Sequence, residues 1–296
     1  MVRNIFLSRL SKGEILIADG ATGSNLLARG LPPGVTSEHW VMEQPEQILQ
    51  IHRDFINAGA DIILTSTFGA TSIRLAGTTL AERTSEVNIK AATLARQAVT
   101  GTPCLVGGSL GPVGQLIKPY GPLETSQVTD AYAEQARALA QAGVDLLVIE
   151  TQFDLTEARA AIQGVRSVTT LPLVCSFSYD RGLRTMMGVK PSQAGRELEA
   201  MGVDVVGINC GRSLEENLLN LQELRQATNK PIWFKPNAGL PQVDSQGKSY
   251  YSLIPEEMGQ ATIKWLSAGA QIVGGCCGTS PAHLEQIALN IKRLSH

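Results

Sequence analysis

The stretch QAGVDLLVIET, residues 141–151, leaves an amphipathic segment through a glycine and enters an apolar run that opens on Asp145 and closes on Glu150. The glycine suits a left-handed helix end, and a short run of Leu, Val and Ile suits a strand buried on both faces. The pattern returns as NAGADIILTST (57–67), AMGVDVVGINC (200–210) and SAGAQIVGGCC (267–277), the last with Gln271 in place of aspartate. EILIADG (14–20), CLVGGSLG (104–111), LPLVCSFS (171–178) and PIWFKPN (231–237) are strand candidates of the same length, which makes eight. The segments between them mostly carry helical spacing. Ile48, Ile51, Phe55 and Ala58 share one face of 45–60, and Tyr132, Ala136, Leu139 and Ala140 share one face of 130–144. Eight fairly even βα units, with no linker or shift of composition, predict an α/β protein built as one (β/α)8 TIM-like barrel domain over 1–296, in preference to a doubly wound sheet.

The chain has 296 residues, 43% hydrophobic and 18% charged, with a formal net charge of -2. No basic field points to nucleic acid or to an anionic membrane. No apolar run approaches the ~20 residues that cross a bilayer. The opening MVRNIFLSRLSKGEI has neither the apolar core nor the cleavage site of a signal peptide. Five cysteines in this length do not form a disulfide framework, so a reducing cytoplasm is the expected setting.

Several strand candidates end in residues that an apolar core has no use for: Asp19, Thr65 to Thr67, Glu150, Asn209 with Cys210, Asn237, and Cys276 with Cys277. In a parallel barrel those ends open on one face, where the active site is built. Cys210 closes the sixth candidate and Cys276-Cys277 the eighth, two strands apart and so within reach of one ion. Zinc takes thiolates at ~2.3 Å in a tetrahedron, and three leave the fourth corner for water or substrate. Gly274, Gly275 and Gly278 free the backbone to aim two successive side chains at one centre. A vicinal disulfide is the alternative, disfavoured by its strained geometry. Three thiolates make zinc a poor Lewis acid but leave a fourth, bound thiolate ionised and nucleophilic, which suits alkyl transfer to a thiol.

Other polar residues are weighed against simpler roles. Cys104 and Cys175, within the third and fifth candidates, read as small buried hydrophobes. Asp19 before Gly20 either shapes a turn or serves a site, whereas a carboxylate ending LLVIE must be paired or meet a ligand. Thr65, Ser66 and Thr67 either line the site or are ordinary strand residues. His52 sits in an HRD triplet without kinase context and reads as a helix histidine; His39, His283 and His296 lack metal-site spacing. GGSLGP (107–112) has no phosphate-loop lysine and reads as backbone crowding near the site.

The joint set ILIADGATGSNL (15–26), HRDFINAGADIILTSTFGAT (52–71), GGSLGP, GVDLLVIET (143–151), GINCG (207–211), KPNAGLP (235–241) and GGCCGT (274–279) closely resembles the zinc-dependent homocysteine S-methyltransferase family over essentially the whole chain. TSTFGAT (65–71) and ETQFDLTEARAAI (150–162) make it most similar to the homocysteine-binding module of cobalamin-dependent methionine synthase. The resemblance implies that Cys210, Cys276 and Cys277 bind Zn2+ with homocysteine sulfur at the open position. It implies that Asp19 and Glu150 hold the substrate ammonium and that the amides of Gly20 and Ala21 take its carboxylate. It also implies that Asn237 approaches the zinc when substrate is absent. The expected reaction is methyl transfer to homocysteine, giving methionine. With the chain ending at His296, no corrinoid or folate domain is expected after the barrel. The methyl group then comes from a separate methyl-corrinoid protein, which branch likeness favours, or from a small sulfonium or betaine-type donor. A non-catalytic zinc and homocysteine-binding module is the alternative of another class.

Overall fold

The computed structural model describes residues 4–243 and 249–294. The glycines that end the repeated motif all take the left-handed turn expected of them, with φ of 103° at Gly59, 83° at Gly143, 75° at Gly202 and 97° at Gly269. Each releases the chain from a helix into a parallel strand. The strands are β1 (Leu16–Ile17), β2 (Ile62–Leu64), β3 (Leu105–Leu110), β4 (Leu146–Gln152), β5 (Leu173–Phe177), β6 (Val205–Cys210), β7 (Ile232–Pro236), β8 (Pro241–Val243), β9 (Ser249–Tyr251) and β10 (Ile272–Val273). Eight of them form one sheet in the order β1-β10-β7-β6-β5-β4-β3-β2. A parallel bridge from Ala18 to Ile62 joins its two ends, and Asp19 N donates to Ile62 O at 2.9 Å, so the barrel closes.

Two features depart from the eight even units read from the sequence. β1 and β10 are only two residues long, because ADG and GGCC turn the chain out of the sheet early. An antiparallel hairpin, β8 with β9, stands between β7 and the helix Pro255–Ser267.

The aspartates that open alternate strands have a shared task. Asp61 accepts the amide of Ile17 at 2.9 Å, Asp145 that of Val106 at 2.7 Å and Asp204 that of Leu173 at 2.8 Å. Each carboxylate binds the amide of the strand before its own. Each is also met by an arginine from the last turn of the helix leading into that earlier strand: Arg9 on Asp61, Arg96 on Asp145, Arg166 on Asp204. In the fourth unit Gln271 replaces the aspartate and donates instead to Leu10 O at 2.8 Å and Glu14 O at 3.2 Å. Arg225, at the corresponding place, turns to the carbonyl of Thr228.

Inside the barrel, Leu16, Ile62, Leu146, Val174, Trp233 and Ile272 belong to one buried cluster. Outward neighbours such as Ile63, Leu147, Cys175, Val206 and Phe234 pack under the helices in a second. The floor is closed by the short helix Ile5–Ser11, which drives Phe6 and Leu10 into the inner cluster and is capped by Asn4 Oδ1 accepting from Phe6 N at 2.9 Å. No helix among the described residues is long and apolar enough to cross a membrane.

Because Phe6 is fully buried in that floor, Phe6→Ala is expected to cost about 3–5 kcal/mol of stability. Urea unfolding measures the loss. Metal content of the folded fraction should stay at the wild-type level, since the floor lies at the opposite end from the cysteines.

Candidate metal and substrate site

Side chains alternate along a strand, so every second residue faces the barrel axis. Low in the barrel these inward positions are apolar: Leu146 and Val148 on β4, Trp233 on β7, Val174 on β5. The next inward position on each strand is polar and buried: Ser109 on β3, Glu150 on β4, Ser176 on β5, Asn209 on β6 and Lys235 on β7. A polar layer thus lies on the apolar core, at the C-terminal mouth. Lys235 Nζ donates to Asp19 Oδ1 at 2.6 Å, and Leu64 N donates to Asp19 Oδ2 at 2.7 Å. Ser109 Oγ donates to Glu150 Oε1 at 2.5 Å. Asn209 accepts from Thr151 N at 2.8 Å and Ser176 Oγ at 2.7 Å, and its Nδ2 lies 3.8 Å from Cys276 Sγ.

Electrostatics here is set by burial. Burial pushes Asp19 up from its ordinary value, opposed by Lys235 and by the Leu64 amide. Both Asp19 oxygens accept hydrogen bonds, which leaves the carboxylate ionised against the ammonium. Burial works against the Lys235 charge, yet Asp19 and Glu150 outweigh it and hold its pKa up. Glu150, further from that cation, is raised to about 7, chiefly by burial.

Cys210 and Cys276-Cys277 reach the same point. β6 ends in a sharp reversal with φ of 59° at Cys210 and 80° at Gly211, secured by Asn217 Nδ2 donating to Cys210 O at 2.8 Å. The turn after β10 is pinned by Cys276 N on Pro236 O at 2.8 Å and by Thr279 Oγ1 on Cys276 O at 2.6 Å. Gly278 lies under the Tyr251 ring of β9, where a Cβ would come within 2.2 Å of the ring. The three Sγ atoms lie within 4.8 Å of one another, with Cys210 and Cys276 at 2.9 Å. Cys277 is lowered to about 3, because the thiols of Cys210 and Cys276 donate to it. Cys276 is pushed up to about 12 by Cys277 and by burial, although Cys210 pulls the other way, and Cys210 lies well above the ordinary value. Three sulfurs this close disfavour one another's ionisation, and a dication is what would stabilise three thiolates together. Thiolates around a tetrahedral zinc stand about 3.8 Å apart; three free thiols within 4.8 Å suit that ion in number and type, with Cys210 and Cys276 parting from 2.9 Å to receive it. Beside it, Asn237 Nδ2 donates to Gly211 O at 2.8 Å, while its buried Oδ1 has no hydrogen-bond partner among the described residues.

The family model described as homocysteine S-methyltransferase matches residues 16–291. The chain belongs to the homocysteine S-methyltransferase family. It is 31% identical over 300 residues to a methionine synthase of Mycobacterium tuberculosis, covering 95% of this chain and 25% of that protein. A methionine synthase of Mycobacterium leprae is 30% identical, with 95% and 24% covered. The chain thus spans about a quarter of the length of these curated relatives. Among solved structures, the metallated form of the homocysteine methyltransferase MmuM from Escherichia coli superposes with a TM-score of 0.81 at 27% identity, covering 95% of this chain and 98% of that one.

In this homocysteine S-methyltransferase barrel, the residues singled out in the sequence lie at the mouth, together with others that were not. Asp19 pairs with Lys235, whose charge also acts on Glu150, and that lysine was not among the residues singled out in the sequence. Its signal was available: Lys235 stands two residues after Trp233, on the same inward face. Ser109, Ser176 and Thr279 were missed as well. Gly20 is held so close to Phe55 that a Cβ would sit 2.7 Å from its ring, and the Ala21 amide donates to Thr279 Oγ1 at 3.1 Å. Thr65 and Thr67 prove to be braces, bonded to each other at 2.6 Å and to β3 through Ser109 N and Ser109 O. Ser66 Oγ is buried without a partner among the described residues. Cys104 and Cys175 are core residues, their thiols raised by burial. His52 is buried in its helix and lowered to about 4 by desolvation. His283 bonds Ser280 and Leu253 O, His39 meets Thr36, and His296 lies outside the described residues.

Glu150 titrates near 4.5 when unfolded and near 7 in the fold. The unfolded chain releases this proton first, so the contribution is favourable at low pH, fades between those two values and stays lost above them. Relative to Glu150→Gln, metal-free wild type is expected to lose on the order of 3 kcal/mol between about pH 4 and pH 8. Urea unfolding of both proteins across that range measures it.

Proposed function

We propose that this protein is a zinc-dependent methyltransferase that moves a methyl group onto the thiol of homocysteine and yields methionine. The observation that carries the reading is the meeting of three cysteine sulfurs, within 4.8 Å, beside a buried carboxylate at the mouth of a barrel of this family. Cys210, Cys276 and Cys277 would hold the ion. Zinc held by three thiolates lowers the pKa of a fourth, substrate thiol and keeps it nucleophilic. The chain's own residues do the rest. Glu150 offers a negative charge to the substrate ammonium, and the turn at Gly20 and Ala21 offers amide donors to its carboxylate once Ala21 exchanges Thr279 for the ligand. The fixed sulfur cluster and this polar end orient the substrate along one line, so catalysis rests on nucleophile activation and alignment. In the transfer, the sulfur–methyl bond forms as the methyl–donor bond breaks, and the thiol proton has left beforehand, so no general base is needed at that step.

For the donor we favour a separate methyl-corrinoid protein, supported by the likeness to methionine synthases across 95% of this chain. A small sulfonium or betaine-type donor is the second reading; the match over 98% of MmuM, described as a homocysteine methyltransferase, supports methyl transfer by a chain of about this size. The reducing cytoplasm is the proposed location, since all five cysteines are free.

Cys277→Ala is expected to purify with little zinc and to lose methionine formation by at least about 100-fold, more than the ~10–100-fold cost of losing a group that merely supports a ligand. A variant with full zinc and full activity would overturn the three-thiolate site. Supplying homocysteine with methylcobalamin, S-methylmethionine, S-adenosylmethionine or a betaine identifies the donor. Turnover with methylcobalamin alone supports the corrinoid route, and turnover with a sulfonium supports the second reading. Zinc binding without turnover on any donor favours a non-catalytic binding module.

A further inference from the structure

Two carboxylates face the mouth, and one buried ammonium serves them unequally. Asp19 takes Lys235 at 2.6 Å on one oxygen and the Leu64 amide at 2.7 Å on the other. Its main chain is part of the closure: Asp19 N bonds Ile62 O at 2.9 Å, and Asp19 O accepts from Gly275 N at 3.1 Å. Among the described residues, the hydrogen bond that Glu150 accepts comes from the neutral hydroxyl of Ser109. Both ends of the Lys235–Asp19 pair are almost fully buried, at 3% and 1% side-chain exposure. Such a pair is held together by its own compensation, because either charge alone would be buried without a partner. Counting Asp19, Glu150 and Lys235, the layer holds one carboxylate without a cation of its own, Glu150, whose ionised form an incoming cation would stabilise. That one carboxylate matches one substrate ammonium.

We propose that Lys235 is a positioning residue that commits Asp19 to the barrel seam and leaves Glu150 as the carboxylate that takes the substrate ammonium. The inference rests on the homocysteine reading above. It changes half of the assignment implied by sequence resemblance, in which both carboxylates hold the amine. Lys235 then also sets selectivity. While Asp19 neutralises it, an incoming ammonium is tolerated; without Asp19 it becomes a like charge beside the substrate amine.

The test is calorimetric binding of homocysteine and of its amine-less analogue, 4-sulfanylbutanoate, to zinc-loaded wild type and to Asp19→Asn, Lys235→Met, Asp19→Asn/Lys235→Met and Glu150→Gln. Zinc content and thermal unfolding are checked for each. Asp19→Asn should weaken homocysteine at least tenfold and the analogue less than threefold, since only the former brings a cation to an unpaired Lys235. The double variant should return homocysteine to within about threefold of wild type. Glu150→Gln should weaken homocysteine selectively. Lys235→Met keeps the preference for homocysteine over the analogue at or above the wild-type value, so it tests the idea even if Asp19→Asn does not fold. A double variant as weak as Asp19→Asn would show that Asp19 itself grips the amine and would overturn the proposal. Equal losses of both ligands in Asp19→Asn would reduce the pair to a structural one and overturn it as well. Wild type that binds neither thiol would instead remove the homocysteine reading, and the proposal with it.

Discussion

Closing eight parallel strands into a barrel turns every second side chain toward one axis. Near the floor that crowding is met by Phe6, Leu10, Trp233 and branched aliphatics. Near the mouth it brings serines, an asparagine, a lysine and two carboxylates within reach of each other, although they come from most of the length of the chain. The site is therefore not assembled on loops alone. Its polar end is mainly the top layer of the barrel itself, joined by the turn at Gly20 and Ala21, and the sulfur end is made where β6 and β10 turn out of the sheet. This division suits a reaction in which one end of a substrate must be held still while the other is exchanged.

The two ends are mechanically joined. Asp19 links β1 to β2 through the Leu64 amide and to β7 through Lys235, and its carbonyl receives Gly275, next to Cys276. A shift of the seam would thus be felt at the cysteines. Asn209 makes a second link, from the strand end at Thr151 beside Glu150 to the sulfur of Cys276. Such a layer is costly to desolvate and worth little to stability as an isolated pair. What it supplies is a fixed arrangement of charge, with unlike environments for two carboxylates that face each other from the ends of β1 and β4.

Much of this was legible in the sequence. The helix-end glycines and the aspartates after them mark β2, β4 and β6 without ambiguity, and the three cysteines declare themselves through adjacency and matching strand ends. What was not legible has a common cause. Lys235, Ser109 and Ser176 lie inside runs that read as apolar strands, and a polar residue there shows its meaning only once inward parity is known. The brace made by Thr65 and Thr67 depends on the neighbour of β2, which a single strand cannot reveal. The hairpin of β8 and β9 was hidden because it lies between two units of the regular rhythm and serves the mouth, not the core. Its Tyr251 covers Gly278, which adds a close approach to the backbone freedom that this glycine uses at φ 80°.

The arginine–aspartate pairs on the underside bear on how such a ring can be assembled. They join residues 52, 49 and 38 positions apart, each within a stretch of two strands and the helices beside them. The last junction, from Gln271 back to Leu10, spans 261 positions and carries no charge. Closure entropy rises only slowly with loop length, by about 0.6 kcal/mol per doubling, so the final junction costs little more than the others once its neighbours exist. The underside is thereby tied by three short-range charged junctions and one neutral long-range junction, while the charge that joins the two ends of the chain is kept for the mouth, where Lys235 meets Asp19 across 216 positions.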